Sequence, residues 1–150
     1  MTEVTKDTNP KDAVGIAKVP MSTVPATVML EVGLAMMEGA RKYGRHNYRS
    51  AGVRASVYYD AAMRHLMEWY EGVDIDADSG LSHITKAIAT LVVLRDGMIA
   101  GNWMDDRPPV VPTMKSGYIR LLNAEAKKII EKYPEGKAPH TNAVNAAKAT

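Results

Sequence analysis

The chain has 150 residues, 46% of them hydrophobic, no cysteine and a formal net charge of +2. That length suits one domain with a real core plus tails, and the missing cysteines exclude disulfides, thiolate metal sites and a cysteine nucleophile. The charge is too small for a binder of duplex nucleic acid, and no apolar run reaches the roughly 18 residues of a membrane span.

No charged-then-apolar leader opens the chain, so a soluble cytoplasmic protein is expected. Phenylalanine is absent and methionine occurs 10 times, which makes the core a pliable mixture of Met, Leu, Val, Ile and Ala.

Residues 1–25 are polar and punctuated by Pro10, Gly15, Pro20 and Pro25, a pattern that predicts an extended arm lying over the domain. From Pro25 the run Val28, Leu30, Val32, Leu34, Ala35, Met37 is apolar on most sides. It predicts a largely buried helix ending near Gly44, with Ser22 or Thr23 as cap.

The polar, glycine-containing segment 45–54 reads as a loop. A second helix is expected from Ala55 to Glu71, stopped by Gly72. Asp74 to Gly80 reads as a turn whose acidic and serine residues can cap a third helix, Leu81 to Ala100. That helix carries Ile84, Ile88, Leu91, Val92 and Leu94 on its packing surfaces.

Together these helices form a bundle, 26–106, with no strand alternation and no internal repeat. A proline-rich linker over 107–116, a weaker amphipathic helix over 117–133 and a small, polar, mobile tail over 134–150 complete the chain. The fold class is all-α.

Within these apolar helices stand carboxylates that must be paired, hydrogen-bonded or bound to a cation. Glu31 and Glu38 are two turns apart on one helix face, roughly 10 Å along its axis. If the first two helices fold back on each other, Asp60 comes level with Glu38 and Glu68 with Glu31. One cleft would then hold four oxygen donors suited to Mg²⁺ or Mn²⁺ bridging a phosphate chain. The structural alternative is that Glu31 and Glu38 pair with Arg64 or Lys42.

Arg41, Lys42, Arg45, Arg49 and Arg54 crowd one turn region, as suits a small polyanion such as a triphosphate, or else a solvated loop. Asp74, Asp76 and Asp78 imitate an EF-hand start, but Gly80 falls one place late and Thr85 stands where the bidentate glutamate belongs. A calcium sensor is therefore excluded. Mid-helix His65 and early-helix His83 suit a hydrogen-bonded core role, a ligand role or proton transfer.

Several motifs occur together and in order: Asn9-Pro10-Lys11-Asp12, Gly39-Ala40-Arg41-Lys42-Tyr43-Gly44, Asn47-Tyr48-Arg49, Arg64-His65-Leu66, Trp69, and Asp76-Ala77-Asp78-Ser79-Gly80-Leu81-Ser82-His83. Over residues 8–106 the chain thereby resembles the phage dATP/dGTP diphosphohydrolase family, which belongs with the MazG-like all-α nucleotide pyrophosphohydrolases. Within that family it also resembles the MazZ type, which acts on guanine nucleotides. The resemblance implies hydrolysis of a deoxynucleoside triphosphate to monophosphate and pyrophosphate with Mg²⁺ or Mn²⁺ on helix carboxylates. It also implies a homo-oligomer and, for the MazZ type, supply of deoxyguanylate for 2-aminoadenine nucleotides.

The wider superfamily's Glu-x-x-Glu and Glu-x-x-Asp pair is not cleanly present. The chain offers Glu38 with Asp60, or His65-x-x-Glu68 followed by His83-x-x-Lys86. The first supplies more oxygen, which gives Glu31, Glu38, Asp60 and Glu68 as expected ligands of about two or three ions. Glu38, Lys42 and Arg64 are then the expected catalytic groups. Asn9, Lys11, Lys42, Arg45, Asn47, Tyr48, His65 and His83 are expected to contact substrate. The alternative is a noncatalytic helical bundle that binds nucleotide or protein and uses its buried charges as salt bridges.

Overall fold

The structure, a computed structural model, describes residues 9–143; the two ends of the predicted arm and tail lie outside the described residues. It is mostly helical, as expected. The α-helices are α1 (Pro10–Gly15), α2 (Ala26–Tyr43), α3 (Asn47–Ala51), α4 (Ala55–Tyr70), α5 (His83–Ala100), α6 (Pro112–Lys115) and α7 (Tyr118–Lys132). A 3₁₀ turn covers Met21–Thr23, and two short strands, β1 (Val53–Arg54) and β2 (Trp103–Met104), pair in parallel. The chain divides after Arg107 into two units.

In the first unit α5 is the central element. None of residues 81–90 is exposed, because α2 lies on one side of this stretch and α4 on another. Ser82 starts the helix by accepting from the Ile84 N–H at 3.2 Å, and Gly101, in the left-handed region at φ 70°, ends it.

Small residues let the neighbours come close. Val32 and Ala35 of α2 bury against Ala89, with Met36, Leu81 and Ile88 packed around them, while α4 buries Ala55 and Ala62. His65 of α4 meets His83 at the start of α5, and β1 ahead of α4 meets β2 behind α5. The two helices are therefore antiparallel, and the β1–β2 pair closes the neck of their hairpin.

That neck is tightly made. Arg49 donates to both oxygens of Asp96, at 2.8 and 2.7 Å, and Asn102 donates to the Arg49 carbonyl at 2.6 Å. Asp106 takes the Ser56 N–H at 2.8 Å at the start of α4 and also the Ser56 hydroxyl, supplying the cap that Arg54 lacks. At Gly97 the helix passes so near β1 that an added Cβ would lie 2.6 Å from Val53 Cγ2.

In the second unit Pro112 opens α6, and Gly117, at φ 81°, turns the chain into α7. The α7 surface keeps Ile119, Leu122 and Ile129 exposed, with Lys128 paired to Glu125 at 2.7 Å.

Several expectations need correcting. Residues 10–15 are a helix rather than extended arm, because Pro10 occupies a favoured first-turn position and Asn9 accepts from the Lys11 N–H. The 45–54 loop contains α3 and β1, and 103–104 forms β2. Two-residue strands are too short to show an alternation. The third helix begins at His83, two residues later than expected, since Ser82 is its cap. The expected linker carries α6.

Candidate functional site

Between α2, α5 and the corner at α3 lies an open cavity of about 880 Å³. Its walls divide by chemistry. Tyr43, Tyr48 and Tyr58 supply aromatic surface, and Arg41, Arg45 and Lys86 supply positive charge. Gly33, Gly39 and Ala40 keep the α2 wall low.

The corner is shaped by Gly44 at φ 92° and by His46, the only described non-glycine residue with positive φ, at 61°. This sharp turn sends Asn47 and Tyr48 back over the cavity's edge. Burial, with a smaller contribution from Tyr43, raises the Tyr58 hydroxyl above its ordinary pKa, so that tyrosine stays neutral at physiological pH.

Beside the cavity runs a chain of charges that joins three parts of the fold. Glu38 of α2 accepts from Lys42, one turn on, at 2.7 Å and from Lys86 of α5 at 2.5 Å, and Lys42 reaches Asp78 in the turn before α5 at 3.2 Å. Hydrogen bonds from Lys42 and Lys86 hold the Glu38 carboxyl below its usual range. Glu38 and Asp78 in turn raise Lys42, so this acid is held ionised and Lys42 charged.

The Asp74–Ser82 turn is itself fixed. Asp76 accepts from the Ser79 hydroxyl at 2.6 Å and from its N–H at 3.1 Å, which lowers its pKa, and Ile75 bridges Ser82. Behind the turn, His65 and His83 meet Nδ1 to Nδ1 at 2.9 Å. Burial first, and then His83, lowers His65.

The predicted four-carboxylate cleft is not assembled. The bundle does not pair α2 with α4 as its main contact; α4 packs chiefly on α5. Asp60 and Glu68 consequently lie exposed on α4 with no side-chain partner among the described residues. Glu31 accepts instead from Thr85 Oγ1 at 2.7 Å, and Glu38 is neutralised by its lysines. Among the described residues no three His, Asp or Glu side chains come together as a group able to hold a metal ion. Within one chain the described carboxylates are therefore dispersed, and the salt-bridge alternative describes Glu38 and Lys42.

Of the other predicted residues, Arg45, Asn47 and Tyr48 line the cavity, and Lys42 stands two ion pairs away from it, through Glu38 and the cavity-lining Lys86. Arg64 is exposed on α4 and does not line the cavity, nor do His65 and His83, which bond each other. Asn9 is occupied capping α1, and Lys11 is exposed there. Of the basic group, Arg49 is a structural partner of Asp96, whereas Arg41 and Arg45 have no acid partner among the described residues.

Lys86 and Tyr58 were missed as site residues. Lys86 had a readable signal, being the one charged residue in the apolar run from Ile84 to Leu94. Tyr58 had none, since a tyrosine on an amphipathic helix reads as core.

The comparisons with known proteins bear on the same region. No solved structure matches the chain. A dATP/dGTP diphosphohydrolase of Salmonella phage PMBT28 is 31% identical over 77 residues, covering 51% of this chain and 26% of that protein. The chain thus matches only about a quarter of that relative's length. The model of the family described as dATP/dGTP diphosphohydrolase, N-terminal, matches residues 8–107, which takes in α1, the cavity, the charge chain and the neck. The chain belongs to the dATP/dGTP diphosphohydrolase N-terminal family.

Proposed function

We propose that this chain hydrolyses a purine deoxynucleoside triphosphate, releasing the monophosphate and pyrophosphate, with the cavity between α2, α5 and α3 as its nucleotide site. The observation that carries this reading is the division of the cavity wall into tyrosines and guanidinium groups without acid partners among the described residues, in a region matched by the family described as dATP/dGTP diphosphohydrolase, N-terminal. Aromatic faces stack on a purine, while Arg41 and Arg45 meet the phosphate chain and neutralise charge as a water attacks the α-phosphorus and pyrophosphate leaves. Asn47 offers both a donor and an acceptor for the base or sugar.

The finer parts of the proposal are preference for dGTP, dependence on Mg²⁺ or Mn²⁺, a MazG-like assembly, and supply of deoxyguanylate for 2-aminoadenine nucleotides in a phage. A divalent ion would neutralise the phosphate chain and acidify a water. Because one chain does not gather its carboxylates, the roles given above to Arg41, Arg45 and the tyrosines do not depend on it. The noncatalytic reading is favoured by that same dispersal. Product analysis separates the two. Each deoxynucleoside and ribonucleoside triphosphate is incubated with the protein, with Mg²⁺ or Mn²⁺ and with chelator. The expected result is monophosphate plus pyrophosphate, only with metal and fastest from dGTP. No product from any triphosphate would leave the binding bundle.

Association of copies is part of the same proposal. Leu30, Leu34 and Met37 on α2 and Met63, Leu66 and Met67 on α4 are exposed, apolar surface that association of copies would cover. Light scattering of the purified chain is expected to give at least twice the mass of one chain; a monomer at micromolar concentration would refute association.

A further inference from the structure

The chain of charges beside the cavity has a composition that holding two helices together does not require. Glu38 uses one oxygen for each lysine, Oε1 for Lys42 and Oε2 for Lys86. A phosphate group presents the same thing to two ammonium groups: two oxygens on one centre, each accepting a charge-assisted hydrogen bond. Lys86 is drawn from α5 into the cavity wall, and its side chain is only 19% exposed. Burying an ammonium there is costly unless an anion meets it.

The surroundings favour a larger anion than Glu38. Arg41 and Arg45 line the same cavity without acid partners among the described residues. The cavity wall and the ion pairs beside it thus hold four cations, Arg41, Arg45, Lys42 and Lys86, and among the described residues only Lys42 and Lys86 are paired with carboxylates, Glu38 and Asp78. Asp78 is 81% exposed, so water screens much of its hold on Lys42.

We propose that Lys86 is a phosphate-binding residue of the cavity, held in the free chain by Glu38, whose carboxylate stands in for a phosphate group and gives way to it. This rests on the nucleotide reading above for the identity of the phosphate chain. Arg41 and Arg45 are open to the incoming anion, and Lys42 and Lys86 turn to it as Glu38 is displaced. The exchange makes the free site less sticky toward stray anions, because every ligand must compete with a tethered carboxylate.

The test uses the full chain in chelator, with inorganic tripolyphosphate as probe, measured by titration calorimetry. Glu38→Gln is expected to bind about tenfold more tightly than the native chain, since the competitor is gone while both lysines remain. Lys86→Met is expected to bind about tenfold more weakly, and Lys86→Arg, which keeps the charge, within about threefold of native. Loss of one negative charge tightens polyanion binding by itself, and Asp78→Asn removes an equal charge without releasing Lys86, so tightening in Glu38→Gln well beyond that in Asp78→Asn is the discriminating result, and equal tightening in both would overturn the proposal. Thermal melts of each variant establish that it is folded at the titration temperature.

Native affinity in Lys86→Met, weaker binding in Glu38→Gln, or no binding of tripolyphosphate by the native chain would each overturn the proposal. Turnover of dATP and dGTP is measured in parallel. Lys86-dependent tripolyphosphate binding without turnover would leave this proposal standing and remove the hydrolase reading. Turnover with no change in affinity or KM in Lys86→Met would do the reverse.

Discussion

Replacing Gly97 with valine is expected to destabilise the chain by about 3 kcal/mol, the upper end of what overpacking a close contact costs, and to lower its melting temperature by roughly 10 °C. The reason is local and steric. A Cβ at this position would meet Val53 Cγ2 at 2.6 Å, well inside the van der Waals limit, and Val53 is itself only 5% exposed. Valine is branched at Cβ, so its methyl groups have little rotamer freedom with which to yield. The strand would have to move, and with it the pairing to Trp103 that closes the neck.

Gly33 is the control. It too lies inside a helix, but nothing stands within 4 Å of an added Cβ, so Gly33→Ala is expected to stabilise by about 0.5–1 kcal/mol. Chemical denaturation of both variants checks the pair of signs; a Gly97→Val midpoint equal to the native one would mean the approach of α5 to β1 is looser than described.

The second large effect is expected at the histidine pair. Two imidazoles that meet Nδ1 to Nδ1 at 2.9 Å share one hydrogen between those two nitrogens: one ring donates from Nδ1 and the other accepts there. Replacing His65 with alanine leaves His83, 5% exposed, without its partner, at a cost of about 1–3 kcal/mol for a buried polar group left unsatisfied.

The pair also sets a direction with pH. Burial and His83 lower the His65 pKa in the folded chain, with Asp76 opposing and Lys86 and Arg64 assisting. As pH falls, the unfolded chain therefore takes up its proton first. Stability is full above the unfolded value of about 6.5, declines as pH drops through it, and levels off below the folded value. The lowered Glu38 and Asp76 carboxyls add a further loss at lower pH, as they are protonated in turn. Melts from pH 7.5 to 5.5 are expected to slope downward in the native chain and to flatten in His65→Ala; equal slopes would assign the acid sensitivity elsewhere.

How much of this was legible in the sequence depends on the range over which each interaction is encoded. The positions of α2, α4, α5 and α7 follow from apolar spacing and from the glycines that end helices, information carried within a few residues. The partners of those helices are not encoded that way. The fold-back of the first long helix on the second was the simplest arrangement for neighbours in sequence, and it would have gathered Glu38 and Asp60. Instead α3 and β1 occupy the corner, α4 turns onto α5, and the acids of α2 find Thr85 and Lys86.

The candidate site was legible to a similar depth. Arg45, Asn47 and Tyr48 lie in one short segment and reach one cavity wall together, so their clustering survives folding. Arg64 and Glu68 were grouped with them only through the assumed helix pairing, and they lie on exposed positions of α4. Lys86 stood out as a charge in an apolar run, but its meaning required knowing that Glu38 and the cavity lie opposite.

The clasp between β1 and β2 bears, finally, on the order in which the chain assembles. The His65–His83 contact joins residues 18 apart, whereas the Arg49–Asp96 and Asn102–Arg49 bonds at the neck join residues 47 and 53 apart. Closing the longer span costs more chain entropy before any contact repays it, so the turn end of the α4–α5 hairpin forms early and the neck zips last. The corner carrying Asn47 and Tyr48 is anchored by that late closure, which makes the cavity's edge among the last parts of the first unit to acquire its shape and among the first to lose it.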